Sequence, residues 1–82
     1  DGDAIDLHIG HYTDAQKAAV LEAAIRNGAR GIGVYPSGNS LHIDTRETAA
    51  TWGYSPFGKY QGVHWSKQPA WAQPALKKLF GE

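Results

Sequence analysis

The chain has 82 residues, with eight Lys and Arg balancing eight Asp and Glu, and no cysteine. That length supplies one small domain, whose burial only just offsets chain entropy, and the missing thiols exclude disulfides and cysteine-based metal sites. Neutrality argues against a nucleic-acid binder, which carries a basic stripe, and no apolar run approaches the 18 or so residues that span a bilayer.

The chain opens Asp1-Gly2-Asp3-Ala4, with neither a basic-then-apolar leader nor a methionine, as expected of a fragment or a processed product. From Ala4 to Ile9 apolar and polar residues alternate, which predicts a strand with Ile5, Leu7 and Ile9 on a buried face and Ala4, Asp6 and His8 on the other. Thr13-Asp14-Ala15-Gln16 fits a capping box, a hydroxyl followed three residues later by a glutamine. It opens an alanine-rich helix with Ala18, Leu21, Ala24 and Ile25 as its core stripe. Asn27-Gly28 supplies the usual left-handed ending.

Residues 31–35 read as a second strand whose glycines bring its backbone close to something else. Pro36-Ser37-Gly38-Asn39 reads as a turn, and residues 40–44 return as a hairpin partner. Residues 45–69 hold most of the aromatic residues and little periodicity. They are expected to form a long loop wrapping the domain, held by Trp52, Tyr54, Phe57, Tyr60 and Trp65. A short terminal helix is expected from near Pro74, with Trp71, Leu76, Leu79 and Phe80 docking it. The fold class is therefore α+β: a small antiparallel or mixed sheet with one long helix packed across it, then an aromatic-rich loop and a short helix. Residues 1–53 form the core in this reading, and 54–82 a wrapping tail of the same domain.

In strand 40–44, Ser40, His42 and Asp44 share the face opposite Leu41 and Ile43. If strands 4–9 and 40–44 are neighbours, Asp6, His8, His42 and Asp44 lie on one surface. Imidazole with carboxylate is the ligand set of catalytic zinc, although the helical H-E-x-x-H pattern is absent. The plainer alternative is a histidine hydrogen-bonded to Asp44 or Ser40 on a half-solvated sheet face.

Gly2-x-Ala4-x-Asp6, then the predicted helix, then Gly31-Ile32-Gly33-Val34-Tyr35-Pro36 and His42-Ile43-Asp44, resemble the zinc D-Ala-D-Ala carboxypeptidase family. This is the catalytic-domain type of bacterial cell-wall and phage-encoded peptidases, related to lysostaphin-like enzymes and the hedgehog signalling domain. The similarity covers residues 2–53. It implies a peptidoglycan metallopeptidase of which this chain is the C-terminal half. The implied activity is hydrolysis of amide bonds in stem peptides, by a carboxypeptidase or an endolysin-like endopeptidase. The implied compartment is the bacterial envelope, periplasmic or secreted, or a phage acting on it.

Position by position, the resemblance makes Asp6 and His42 zinc ligands and puts the third, a histidine, just ahead of Asp1. His8 and His11 lie nearby but not at that position. Asn39 stands where several relatives carry an acidic general base. That leaves Asp44 either as the base or as the carboxylate that orients His42. Arg46 either pairs with a substrate carboxylate or with Glu47. Tyr35 either hydrogen-bonds the tetrahedral intermediate or fills the core. His64, which no motif includes, is read as structural. The alternative to an enzyme is a wall-binding or phage structural module on the same fold.

Overall fold

In the computed structural model, residues 3–35, 37–55 and 58–82 are described, the side chains of 54, 55 and 58–61 excepted. The elements run β1 (Ala4–His8), α1 (Asp14–Arg26), β2 (Gly31–Val34), β3 (Ser40–Asp44), β4 (Ala50–Ser55), β5 (Gly58–Gly62) and α2 (Gln73–Leu79). Two short 3-10 turns, Trp65–Lys67 and Ala70–Ala72, precede α2. The result is a small α+β domain with a mixed sheet and two helices.

Local chemistry explains both ends of α1. The Thr13 hydroxyl accepts from Gln16 N–H at 3.1 Å while Gln16 Oε1 accepts from Thr13 N–H at 2.9 Å, which completes the capping box. At the other end Gly28 takes φ +108°, a conformation costly for any residue with a Cβ. It allows Ala29 N–H to reach Ala24 O and Gly28 N–H to reach Ile25 O, at 3.0 and 3.1 Å, so the last carbonyls are satisfied.

The sheet order is β1-β3-β2-β4-β5. The hairpin of β2 and β3 is antiparallel, with Gly33 opposite His42 and Gly31 opposite Asp44. β1 lies antiparallel on the other side of β3, with Asp6 opposite His42. β4 runs parallel to β2, with Trp52 beside Gly33. To get there the chain passes over the end of β2, and Arg30 pins the passage. Its N–H donates to Asp44 O at 3.0 Å, and its carbonyl accepts from Ala50 N–H at 2.9 Å.

One face of the sheet meets the helices. Ile9, Leu21, Ala29, Ile32, Val34, Leu41, Ala72, Ala75 and Leu76 form the buried core, with Trp65, Trp71 and Leu79 packed against it. α2 begins with Pro74 in its first turn, where the missing N–H costs nothing, and docks through Leu76 as expected.

Two expectations are corrected. Residues 45–69 are not one long loop, because β4 and β5 occupy much of the segment and the boundary drawn at 53 falls inside β4. Thr51, Trp52 and Gly53 are all buried, so β4 is covered on both faces and shows no polar alternation to read. Thr51 is held by a network no local pattern announces: its hydroxyl donates to Ile32 O at 2.7 Å and accepts from Gln68 Nε2 at 2.9 Å. Ile5, expected in the core, is 53% exposed. It sits on the edge strand, which has a neighbour on one side only. Pro36, Phe57 and the side chains of Tyr54 and Tyr60, named for the turn and the wrapping role, lie outside the described residues.

Candidate functional site

The face away from the helices carries the polar residues of β1 and β3. Register puts Asp6, His42, Gly33 and Trp52 in one row across four strands, and Ala4, Asp44, Gly31 and Ala50 in the next. Strands lie about 4.8 Å apart, so neighbours in a row reach one another directly.

His42 is held on both sides. Its Nδ1 lies 3.0 Å from Asp6 Oδ1, and its Nε2 lies 2.9 Å from Asp44 Oδ2. Asp44 in turn receives a two-point grip from Arg46, Nε on Oδ1 at 2.8 Å and Nη2 on Oδ2 at 2.7 Å. The guanidinium lies over the Trp52 ring at 4.8 Å, and the His42 and Trp52 rings approach to 5.5 Å. That approach spans the position of Gly33, which contributes no side chain between them.

Gly31 does the same for the second row. A Cβ there would fall 2.1 Å from Asp44 Oδ1 and 2.5 Å from Arg46 Nε. The two glycines of β2 thus leave a trough in which the Asp44–Arg46 pair and the two rings lie. Exposure falls along the chain of groups: the Asp6 side chain is 56% exposed, that of His42 21%, and that of Asp44 12%.

The Arg46 guanidinium holds the Asp44 carboxyl below its usual value of 3.8. Partial burial opposes this and the His42 hydrogen bond adds to it. A carboxyl whose folded pKa is depressed contributes stability above its unfolded pKa, and loses it as pH falls through the folded one. The stability advantage of the protein over Asp44→Asn is therefore expected to be flat at neutral pH and to shrink once pH drops below the usual 3.8. Urea unfolding of both proteins between pH 7 and pH 3 checks this; a gap that widens in acid would contradict it.

Of the sequence-predicted residues, Asp6, His42, Asp44 and Arg46 come together. Arg46 pairs with Asp44 and not with Glu47, because residues 44 and 46 straddle the end of β3 and the open space over Gly31 receives both. Parity puts His8 on the same face, opposite Ser40 and thus one row away, while Tyr35 stands one position past the end of β2. Asn39 lies at the far end of the β1–β3 pairing, where its carbonyl accepts from Ile9 N–H at 2.9 Å. His64 caps the first 3-10 turn, with Nδ1 accepting from Ser66 N–H at 3.2 Å, in keeping with a structural role.

Trp52, Gly31 and Gly33 are the site residues that sequence reasoning assigned elsewhere or not at all. A signal for the glycines exists: Gly31-x-Gly33 and His42-x-Asp44 share a two-residue period in facing arms of one hairpin.

Among the described residues no three His, Cys, Asp or Glu side chains are grouped to hold a metal ion. Two donors do converge. Metal–ligand distances of about 2.1 Å in a tetrahedral site put neighbouring ligand atoms roughly 3.4 Å apart. The 3.0 Å between His42 Nδ1 and Asp6 Oδ1 is within a few tenths of an ångström of that, and Asp44 on Nε2 is the usual partner of a metal-bound imidazole. Asp6 and His42 are two donors of the kind a zinc site uses, and the described residues group no third with them. No helix among the described residues is long and apolar enough to cross a membrane.

Comparison of the chain with protein-family models, with curated proteins and with solved structures finds no match.

Proposed function

We propose that this chain carries part of the catalytic centre of a zinc-dependent peptidase, hedgehog- or DD-peptidase-like in fold, that hydrolyses amide bonds in peptidoglycan stem peptides at the bacterial envelope or from a phage. The observation that supports the reading is the convergence of Asp6 Oδ1 and His42 Nδ1 to 3.0 Å, with Asp44 behind the imidazole. The motif spacing that carries the resemblance anticipates that pair.

In this reading Asp6 and His42 hold zinc together with a third protein ligand, which the resemblance puts ahead of Asp1. Bound zinc polarises a carbonyl and lowers the pKa of its water toward about 7. Asp44 orients His42 and is a poor proton acceptor, since Arg46 and His42 already occupy its oxygens. Arg46 keeps Nη1, which has no partner among the described residues, for a substrate carboxylate. Tyr35 borders the same face and serves the tetrahedral intermediate through its hydroxyl.

Zinc titration of the purified protein tests the reading. With two of the three ligands in these residues, weak binding of about one zinc per chain is expected, weakened further by at least about tenfold in His42→Ala. Peptidoglycan cleavage is then assayed. A wild-type protein that binds no zinc would remove the metal site from this chain and favour a wall-binding module on the same fold.

A further inference from the structure

Arg46 is the member of the site with the most contacts beyond the ligand pair. It stands outside the ligand pair, and its side chain, 38% exposed, is nonetheless fixed at two places. One edge grips both oxygens of Asp44, and the guanidinium lies over Trp52. An arginine tied only to a neighbouring carboxylate at a surface contributes little. This one is tied to a carboxylate that is 12% exposed and that itself touches the imidazole.

The geometry points to Arg46 as a positioning residue for His42, acting through Asp44 to fix which imidazole nitrogen bears the proton and which one is presented to Asp6. The steps follow from the bonds. Both ring nitrogens face a carboxylate, Nε2 at 2.9 Å from Asp44 Oδ2 and Nδ1 at 3.0 Å from Asp6 Oδ1, and a neutral ring has one N–H to give between them. Asp44, 12% exposed and gripped by Arg46, keeps that N–H on Nε2, whereas Asp6, 56% exposed, is free to turn to water, so Nδ1 keeps its lone pair, the arrangement a metal-binding imidazole needs. Asp44 can hold that post only while its charge is matched. A carboxylate this enclosed and without its guanidinium turns toward water, because an unpaired charge is costly away from solvent. His42 then loses its Nε2 partner, and the ring divides between its two tautomers. Gly31 and Trp52 belong to the same device, one as the space in which Asp44 and Arg46 meet and the other as the surface beneath the guanidinium. Lysine is a poor substitute, since an ammonium makes no two-point planar grip.

The consequence for zinc affinity rests on the ligand reading above, whereas the tautomer itself does not, and the two are measured separately. Protein labelled with 15N-histidine, free of metal and at a pH where imidazole is neutral, is expected to show His42 protonated on Nε2. Arg46→Ala is expected to show averaged nitrogen signals, and Arg46→Lys to restore them only in part. In zinc titrations Arg46→Ala is expected to weaken binding about 10- to 100-fold, as loss of an outer partner of a metal-bound histidine does. Unchanged His42 nitrogen signals in a folded Arg46→Ala overturn the proposal. A wild type that binds no zinc, with the tautomer still shifted by Arg46→Ala, would retire the metal reading and leave this one standing.

Discussion

Gly31→Ala is expected to destabilise the protein by about 2 kcal/mol, as forcing a methyl group into filled space does. The cost is one of room and not of backbone strain, since Gly31 is not among the glycines with positive φ. The new Cβ would meet Asp44 Oδ1 at 2.1 Å and Asp44 Cγ at 2.7 Å, and these atoms cannot retreat without releasing Arg46 or His42. The variant gains a few tenths of a kcal/mol from a less flexible unfolded chain, too little to offset this. Urea denaturation gives the magnitude, and a cycle with Arg46→Ala gives the cause. Once Arg46 is gone Asp44 is free to swing aside, so the double variant should lose less than the sum of the two single changes. Strict additivity would mean that the methyl group meets something other than the clamp.

Leu41→Ala should cost more, about 3 kcal/mol, and for a different reason. Leu41 neighbours His42 in the chain but points to the opposite side of β3. There it is fully buried, in a core with Leu21, Ile32 and Leu76. Truncation removes apolar burial and leaves a cavity that a sheet strand fixed on both sides cannot close. A domain of this length has roughly 4–12 kcal/mol of stability in all. The melting temperature is therefore expected to fall by about 12–24 °C. A shift below about 5 °C would show that the core rearranges around position 41. The two variants divide one hairpin into a face that holds the molecule together and a face that holds the site.

Much of that division was legible without coordinates. The period-two alternation in residues 4–9 and 40–44 assigned Leu7, Leu41 and Ile43 to one side and Asp6, His42 and Asp44 to the other, and the register agrees. The capping box at Thr13 and the Asn27-Gly28 ending marked α1 because caps are local chemistry, written in adjacent residues. Pro74 marked the start of α2 for the same reason.

What only the tertiary structure decided is whatever depends on which strand lies beside which. β4 gave no pattern because both of its faces are covered, and its parallel pairing with β2 joins residues about 20 positions apart. Ile5 satisfied the alternation and still lies open, since a pattern shows which way a side chain points but not which strand ends up at the edge of the sheet. The trough made by Gly31 and Gly33, the turn of Arg46 onto Asp44 and the place of Trp52 beneath both exist only when β2, β3 and β4 are assembled. The sequence determined the faces, because alternation and capping act between near neighbours. The fold decided the partners, because pairing across a sheet depends on separations along the chain that no local rule encodes.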